Sequence, residues 1–460
     1  MQDLVIIGGG PGGYVAAIRA SQLNMRVTLI EKDSLGGTCL NRGCVPTKVY
    51  YQSAQLLRSL QQFAACGISA TTGSFELETV WRRKTQIVQE LKQGISGLLS
   101  ANGVEVISGT AEFTAPQEVS VAGRRIAAKR ILIATGSTSS QMSVPGADLP
   151  QVLNSDQLLE LTTVPERLVV IGGGVIGLEF SSIFKSYGSK VTIIKFRPEL
   201  LPGTDKEITK RLRIFLKRQG IDIITGAQVE SFTDNGAGVT VTTRMDDAEV
   251  KYEADAVLLA TRRLPYTAGL GLTALGLKTD ANGYLQTNAD FQTNIPSIYA
   301  IGDVIGGAML AHVASEEGRV AVERMAGIDS QMADHAIPAV IFTTPELATV
   351  GLSEEAAKQQ GIDYRVGKCQ FGANSKAVAM GETDGLVKVL TDSDGVIIGA
   401  HILGPHASDL IAIASLAVKE RLTAASAADA IYPHPTLSEA WLEAVLDCER
   451  QAIHLMPRRR

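Results

Sequence analysis

At 460 residues the chain is too long for one hydrophobic core, so about two to four domains are expected. Its composition is 45% apolar and 20% charged with a net charge of −5, which gives no basis for binding nucleic acid or an anionic membrane. Apolar runs such as residues 410–418 are far shorter than the ~20 residues that span a bilayer. With neither a basic leader nor a cleavage site at the N-terminus, we expect a cytoplasmic protein. The closing residues 458–460, all arginine, are interpreted as a solvated tail.

The N-terminal segment predicts a dinucleotide-binding unit. Its elements are a strand at 4–7, a Gly-Gly-Gly-Pro-Gly-Gly turn at 8–13, a helix to about residue 23 and a strand at 26–30. In such a unit Gly8 makes the turn, Gly10 admits a pyrophosphate to the backbone, and Gly13 lets the helix pack on the strand. Glu31, twenty-three residues after Gly8, is placed to accept hydrogen bonds from a ribose diol.

A Cys-x4-Cys pair follows at Cys39 and Cys44, with Pro46 near the first turn of a predicted helix. A cysteine at a helix N-terminus has a stabilised thiolate, the form that attacks a disulfide or donates electrons to a flavin. A zinc site requires four ligands, and the other three cysteines are isolated in the sequence, so no metal is expected. Those three, interpreted as ordinary core or surface residues, are Cys66, Cys369 and Cys448.

The dinucleotide pattern returns in the second quarter of the chain. Its elements are a strand at 168–171, a Gly-Gly-Gly-Val-Ile-Gly turn at 172–177 and a strand at 190–194. Within the turn the candidate contacts are Gly172, Gly174, Val175, Ile176 and Gly177. One such turn is a weak signal, but two in the same context predict two bound dinucleotides. The alternative is a pair of tight turns in an ordinary α/β core.

Lys195 occupies the position in the second unit that Glu31 occupies in the first, twenty-three residues after Gly172. An ammonium group cannot accept a hydrogen bond from a ribose 2′-hydroxyl, but it can face a 2′-phosphate, and Arg197 lies two residues on. A charge-assisted hydrogen bond contributes about 1.5–3 kcal/mol. The alternative is that Lys195 points to solvent.

The C-terminal segment Tyr-Pro-His-Pro-Thr-Leu-Ser-Glu at 432–439 is a candidate acid–base site. Thr436 and Glu439 have the spacing of a capping box that opens the last helix, so Glu439 could serve only as a cap. Oxidation of a dithiol removes two protons near neutral pH, where histidine titrates, and a carboxylate would orient His434 and raise its basicity.

Taken together, these motifs resemble those of the class I pyridine nucleotide–disulfide oxidoreductases over essentially the whole chain. Within that family the chain is most similar to the dihydrolipoamide dehydrogenases. The resemblance implies an α/β fold with two Rossmann-like domains and a C-terminal α+β dimerisation domain, FAD on the first glycine turn, and the nicotinamide nucleotide on the second. It also implies that Cys39 and Cys44 form a redox-active disulfide, with Cys44 beside the flavin and Cys39 exchanging with the substrate.

The resemblance assigns further roles. Lys48 would sit near flavin N5 and pair with Glu179, which could otherwise be a plain surface residue. His434 and Glu439 would act as base and orienting partner on the disulfide of the other subunit in a homodimer. FAD contacts would also come from Lys32, Gly37, Thr38, Thr135, Gly136, Asp303, Met309, Leu310, Ala311 and His312.

Several features separate the chain from neighbouring families. Val175 stands where glutathione reductases usually place a tyrosine, and Ala440 follows Glu439 where they have a second Glu. Departures from the usual pattern are Lys195, Arg42 in the disulfide loop, and Arg262 where a glycine normally lets the nicotinamide nucleotide approach.

We therefore expect FAD-dependent oxidation of dihydrolipoamide with NAD⁺, or NADP⁺ if Lys195 and Arg197 bind a 2′-phosphate. The partner would be the lipoyl domain of a 2-oxoacid or acetoin dehydrogenase complex or a glycine cleavage protein. The alternatives are an NADPH-dependent reductase of a small disulfide such as glutathione disulfide and a non-catalytic flavin-holding subunit. The expected domains are an FAD domain at 1–142, a nicotinamide nucleotide domain at 143–262, a segment completing the FAD side at 263–334, and an interface domain at 335–460, with strands that include 338–342 and 386–390.

Overall fold

The computed structural model describes residues 1–69 and 74–456, so the terminal arginines lie outside the described residues. Up to residue 142 the elements are β1 (Gln2–Ile7), α1 (Pro11–Gln22), β2 (Val27–Glu31), α2 (Gly37–Arg42), α3 (Cys44–Ser59), α4 (Leu77–Ala101), β3 (Glu105–Ser108), β4 (Ala111–Ala115), β5 (Glu118–Val121), β6 (Arg124–Ile133) and β7 (Ser137–Ser139).

The middle of the chain continues with β8 (Val152–Leu153), α5 (Ser155–Leu158), β9 (Arg167–Ile171), α6 (Val175–Ser186), β10 (Lys190–Lys195), α7 (Lys206–Arg218), β11 (Asp222–Thr225), β12 (Gln228–Asp234), β13 (Val239–Met245), β14 (Ala248–Ala254), β15 (Ala256–Leu259), β16 (Arg263–Pro265), α8 (Leu272–Leu275), β17 (Ile298–Ala300) and α9 (Ala311–Met325).

The C-terminal part consists of β18 (Ala339–Ile341), β19 (Glu346–Gly351), α10 (Glu354–Gln359), β20 (Tyr364–Gln370), α11 (Ser375–Met380), β21 (Leu386–Asp392), β22 (Ile397–Gly404), α12 (Ala407–Lys419), α13 (Ala424–Ala428) and α14 (Glu439–Cys448). Short 3₁₀ turns lie at Leu60–Gln62, Gly302–Ile305, Asp334–Ala336 and Phe371–Ala373. No helix within 1–69 and 74–456 is long and apolar enough to cross a bilayer.

Two sheets carry the two glycine-rich turns; the strands beside each turn are parallel, and the first sheet adds β5 and β4 antiparallel at one edge. The first has the strand order β3-β2-β1-β6-β5-β4, with β17 added beside β6, and the second has the order β11-β10-β9-β15-β8. β1 and β9 are near-continuous apolar runs, as expected of central parallel strands that are covered on both faces. The predicted α/β fold with two dinucleotide-binding sheets is confirmed.

The segment that contains β17 and α9 returns to the first sheet. β17 pairs in parallel with β6, and α9 packs against α1. Small residues permit this close packing, because a Cβ built on Gly318 would lie 2.5 Å from the carbonyl oxygen of Gly12. α9 and the turn before it are thereby placed over the N-terminal glycine turn.

The C-terminal part forms an antiparallel sheet in the order β18-β19-β22-β21-β20, covered by α12 and α14. The predicted strands at 338–342 and 386–390 are confirmed as β18 and β21. Lys388 on β21 is completely buried, where its ammonium lies 2.7 Å from the Asp205 carboxylate at the start of α7. This ion pair joins the antiparallel sheet to the start of α7, the helix that also packs against β11 of the second sheet.

Candidate active site

The two cysteines of the Cys-x4-Cys pair lie at the junction between two helices. Cys39 is on α2 and half-buried, and Cys44 is the first residue of α3 and exposed. A Cβ built on the intervening Gly43 would lie 3.0 Å from the Thr38 carbonyl oxygen, so the two helices meet tightly. The two cysteines are thiols joined by a side-chain hydrogen bond.

The two thiols differ in acidity. The hydrogen bond from Cys39 lowers the pKa of Cys44 to about 7, although the surrounding protein atoms partly desolvate the thiolate and oppose this, and the Lys48 ammonium lowers the pKa further. The same hydrogen bond, together with burial, raises the pKa of Cys39. The sequence predicted a low pKa from the helix N-terminus, and Cys44 does open α3, but its neighbouring cysteine makes the largest contribution. At pH 7 about half of the Cys44 population is therefore thiolate, while Cys39 keeps its proton.

Lys48, one turn further along α3, is paired with Glu179 on α6. Its ammonium lies 3.1 Å from each carboxylate oxygen and 4.2 Å from the centre of the Phe342 ring. The Glu179 side chain is only 6% exposed and also accepts a hydrogen bond of 2.9 Å from the Phe342 backbone N–H. Glu179 is thus not a plain surface residue, because it fixes α3, α6 and the end of β18 around the cysteine pair.

The first glycine turn has the shape that a bound pyrophosphate requires. A Cβ on Gly13 would lie 1.8 Å from the Gly8 carbonyl oxygen, and Gly8 itself has a φ of +105°, so neither position admits a side chain. At Gly10, by contrast, the nearest atom to such a Cβ is 3.9 Å away, which leaves the N-terminus of α1 open. An open helix N-terminus behind a tight glycine turn fits the phosphates of FAD.

Glu31, at the end of β2, caps this turn. Its carboxylate accepts hydrogen bonds from the backbone N–H groups of Gly9 at 2.6 Å and Asp33 at 2.8 Å. Burial raises the pKa of the Glu31 carboxyl, although the Gly9 N–H opposes this. A carboxylate oxygen can accept more than one hydrogen bond, so this arrangement is compatible with a ribose diol as a further donor.

Residues from distant segments surround the first turn. The Lys32 ammonium lies 3.3 Å above the Tyr266 ring, and Thr135 donates a hydrogen bond of 2.6 Å to the Tyr266 carbonyl. Asp303 accepts a hydrogen bond from the Ser137 hydroxyl. Of the other predicted FAD contacts, Gly37 and Thr38 begin α2, Gly136 precedes β7, and Met309, Leu310, Ala311 and His312 lie at the N-terminus of α9.

The second glycine turn has the same close backbone contacts as the first, but a lysine lies beside it where the first has a glutamate. Gly172 and Gly177 pack closely, since a Cβ on Gly177 would lie 2.4 Å from the Gly172 carbonyl oxygen. No atom lies within 4 Å of a Cβ built on Gly174, so the N-terminus of α6, with Val175 exposed and Ile176 half-buried, is open. This opening fits a second dinucleotide.

Lys195 ends β10 and lies along this turn. A Cβ built on Gly173 would lie 2.9 Å from Lys195 Cδ and 3.8 Å from its Nζ. Burial, and then the nearby Arg197 guanidinium, lower the pKa of Lys195. Within 1–69 and 74–456 neither cation has an ion-pair partner. Arg262 is exposed and donates a hydrogen bond of 3.2 Å to Asn282.

The predicted acid–base pair is assembled before the last helix. His434 Nδ1 lies 2.9 Å from Glu439 Oε1, while the other Glu439 oxygen accepts the Thr436 N–H at 2.9 Å. Burial raises the pKa of Glu439, but these two hydrogen bonds outweigh it and lower that pKa overall. Of the predicted capping box, only the hydrogen bond from the Thr436 backbone N–H to Glu439 forms. The N-cap is Ser438, and the Thr436 hydroxyl bonds to the Pro433 carbonyl and the Ser438 hydroxyl.

Sequence profiles identify the family. The pyridine nucleotide-disulphide oxidoreductase profile matches residues 2–318, and the dimerisation domain of the same family matches residues 337–445. The chain belongs to this family. It is therefore a flavoprotein disulfide oxidoreductase that uses FAD and a pyridine nucleotide, and its dimerisation domain supports a homodimer.

Individual relatives match over nearly their full lengths. Dihydrolipoyl dehydrogenase of Bacillus subtilis (strain 168) is 39% identical, covering 98% of this chain and 99% of the relative, and mitochondrial dihydrolipoyl dehydrogenase 1 of Arabidopsis thaliana is 40% identical, covering 98% and 91%. Among solved structures, LpdA from Mycobacterium tuberculosis matches with a TM-score of 0.90 at 29% identity, covering 96% of this chain and 98% of LpdA. The HOCl-induced flavoprotein disulfide reductase RclA from Escherichia coli matches with a TM-score of 0.86 at 30% identity, covering 96% and 99%.

Three contacts of the site were not predicted from the sequence. Phe342 covers the Lys48–Glu179 pair, Tyr266 stacks under Lys32, and Ser137 binds Asp303. Each is a single residue in a loop or at a strand end, without a motif of its own. Tyr266 offered a weak signal, because it lies four residues after Arg262, which departs from the family pattern.

Proposed function

We propose that the enzyme oxidises dihydrolipoamide carried on a lipoyl protein to lipoamide and reduces NAD⁺. The proposal depends chiefly on one observation: two hydrogen-bonded cysteines on adjoining helices, of which Cys44 has a pKa of about 7 and Cys39 a raised pKa. The relatives named dihydrolipoyl dehydrogenase, which match nearly the whole chain, support the choice of substrate.

In the proposed reaction, one thiol of the substrate loses its proton to Nε2 of His434. The step starts from the oxidised enzyme, in which Cys39 and Cys44 are joined as a disulfide. The resulting substrate thiolate attacks the Cys39 sulfur, the Cys39–Cys44 bond breaks, and Cys44 leaves as a thiolate, which its low pKa favours. The second substrate thiol then loses its proton to His434, and its thiolate attacks the first substrate sulfur. The mixed-disulfide bond to Cys39 breaks, the lipoamide disulfide is complete, and Cys39 leaves as a thiolate that takes up a proton because its pKa is raised. Bound FAD supplies the redox chemistry that carries the electron pair from the cysteines to the pyridine nucleotide.

The remaining residues hold this centre in place. Glu439 orients the His434 ring through Nδ1, so that Nε2 is the atom available to the substrate. Lys48 and Glu179 fix α3 against α6. The proposed holders of FAD are the first glycine turn, Glu31 and Asp303, and the proposed holder of the pyridine nucleotide is the second glycine turn.

Rates of dihydrolipoamide oxidation test this proposal. Cys44→Ser should lower the rate by about 10³-fold or more, as loss of a covalent nucleophile does. Cys66→Ser is the matched control, because Cys66 is also exposed but has no cysteine neighbour in the sequence, and it should keep the full rate. Full activity of Cys44→Ser would refute the proposed reaction.

We also propose that His434 and Glu439 act on the cysteine pair of the partner subunit. In the described parts of one chain, no hydrogen bond or ion pair joins either residue to Cys39 or Cys44. Mixing subunits of Cys44→Ser with subunits of His434→Gln tests this. If the site is shared, each mixed dimer contains one intact site and activity returns, whereas a site within one chain would leave every mixture inactive.

A second candidate is the reverse reaction, an NADPH-dependent reduction of a small disulfide such as glutathione disulfide. Lys195 favours it, because its ammonium lies against the turn where the first unit has Glu31. Lys195→Glu should then shift the preference from NADP(H) toward NAD(H) by about ten- to a hundredfold. Lys217→Glu, on the exposed side of α7, is the control. Equal preference before and after the Lys195 change would indicate that Lys195 makes no contact with a 2′-phosphate.

The proposed physiological partner is a lipoyl domain, of a 2-oxoacid or acetoin dehydrogenase complex or of a glycine cleavage protein. The KM for oxidation should be measured for free dihydrolipoamide and for an isolated dihydrolipoyl domain of each type. The domain with the lowest KM would be identified as the partner. A KM for every domain no lower than that for free dihydrolipoamide would argue against a lipoyl protein as the substrate.

A further inference from the structure

The last helix carries a second histidine–glutamate pair one turn beyond the first. His454 Nδ1 lies 2.8 Å from Glu443 Oε1, as His434 Nδ1 lies 2.9 Å from Glu439 Oε1. Glu439 and Glu443 are four residues apart on α14, so their side chains emerge on the same helical face. Both imidazole side chains are 71% exposed, and within the described chain neither Nε2 has a hydrogen-bond partner.

Glu443 is held independently of the histidine ring. Its side chain is 8% exposed, and its second oxygen accepts the backbone N–H groups of Ile453 and His454, both at 3.0 Å. These two hydrogen bonds fasten the C-terminal segment to α14. Replacing the imidazole therefore leaves the segment in place, and a structural role can be separated from a chemical one.

The surroundings of His454 favour its protonated form. The hydrogen bond to Glu443 raises the pKa of His454, and the Glu439 carboxylate adds to this against a small effect of burial. His454 in turn helps to lower the pKa of Glu439, so the two pairs interact. From β20, which packs under α14, the Cys369 thiol also faces Glu443, but burial and the neighbouring carboxylates raise its pKa to about 12 and it stays neutral.

The proposed function creates a need for such a group. Oxidation of a dithiol removes a proton from each sulfur, and the base that takes the first proton must be free again before it can take the second. A second group that accepts the first proton from that base and releases it to water shortens the time before the base can take the second proton.

We propose that His454, supported by Glu443, is a proton relay that unloads His434 during oxidation of the dithiol. The proton leaves Nε2 of the His434 imidazolium and arrives at Nε2 of His454 through intervening water, and from there it passes to solvent. No electrons move in this step. The inference rests on the proposed function, since it takes His434 to be the base, and it makes His454 a positioning and relay residue that does not touch the substrate.

Buffer dependence tests the relay. With the FAD-loaded enzyme at about 1 mM buffer, His454→Ala should lower kcat by roughly three- to tenfold, less than loss of the base itself, which costs about 10²–10⁴-fold. Added imidazole should restore most of this loss, because a free buffer can replace the missing ring. The matched control is His406→Ala, which removes another exposed histidine near a carboxylate, Asp409, at 3.8 Å, and should show no buffer dependence.

The outcomes separate the relay from its alternatives. Unchanged kcat of His454→Ala at the lowest buffer concentration would overturn the proposal, as would a loss that imidazole does not restore in a variant with normal FAD content and thermal stability. His454→Gln gives a second variant that keeps a donor to Glu443, and it should show the same rescue. Full activity of His434→Gln would instead refute the proposed base, so failure of the relay and failure of the proposed function remain distinguishable.

Discussion

The acidity of Cys44 has a cause that can be removed by one substitution. The largest contribution to its pKa of about 7 is the hydrogen bond from Cys39. A hydrogen bond to a charged group contributes about 1.5–3 kcal/mol, and about 1.4 kcal/mol corresponds to one pKa unit. Cys39→Ala should therefore raise the pKa of Cys44 to about 8–9. At pH 7 the thiolate would fall from about half of the population to roughly 1–10%.

The rate of alkylation of Cys44 as a function of pH measures this change. The reduced enzyme should react with iodoacetamide with a midpoint near pH 7, and Cys39→Ala should move the midpoint up and slow the reaction at pH 7 by about five- to fiftyfold. Mass spectrometry of the Cys44 peptide is needed, because Cys66 is also exposed. Cys369 and Cys448 react slowly, since burial raises the pKa of each to about 12.

Cys39→Ser is the matched control, because its hydroxyl can still donate to the Cys44 thiolate and should preserve most of the low midpoint. If Cys39→Ala keeps a midpoint near pH 7, the hydrogen bond is not the cause. The N-terminus of α3 and the Lys48 ammonium would then be sufficient, which is the explanation that the sequence alone suggested.

Three further changes probe the framework of the site. Lys388→Met should lower the free energy of unfolding by about 3–5 kcal/mol in urea titrations, because it leaves the fully buried Asp205 carboxylate unpaired, and adding Asp205→Asn should recover part of that loss. Glu179→Gln, which removes the charge facing the α3 lysine, should lower turnover by about tenfold with little change in thermal midpoint, and unchanged turnover would show that the ion pair is dispensable. Gly13→Ala would place a Cβ 1.8 Å from a backbone carbonyl oxygen, so the purified protein should contain little FAD, which its absorbance at 450 nm would reveal.

The sequence predicted the features that depend on local patterns. Strands such as β1 and β9 are marked by apolar runs, and the turns after them by glycines whose spacing is set by backbone contact. The cysteine and histidine segments are equally local. Half of the predicted capping box at Thr436 was wrong. The Glu439 carboxylate accepts the Thr436 backbone N–H as predicted, but the Thr436 hydroxyl bonds to the Pro433 carbonyl and the Ser438 hydroxyl instead of capping the helix. Competition between neighbouring acceptors is a property of the folded loop, and spacing does not reveal it.

Contacts between distant segments have no local pattern in the sequence, and the Lys48–Glu179 pair was expected only because the family resemblance implies it. The Phe342 ring covers Lys48, and Lys388 meets Asp205, although each pair is separated by more than a hundred residues. The His454–Glu443 pair was missed for another reason: an isolated histidine near the C-terminus has no pattern, and only the folded chain brings it to Glu443, one turn after Glu439 on α14.

The two glycine turns show why fold and coenzyme choice differ in predictability. Both turns follow a buried parallel strand and precede a helix that packs through close glycine contacts, so their backbones are fixed by apolar burial and by the absence of Cβ atoms. The residue at the end of the second strand of each unit, Glu31 or Lys195, is half-buried beside its turn, and the two turns share one backbone although these two residues carry opposite charges. Selectivity for the coenzyme can therefore change by substitution of one side chain while the fold stays the same.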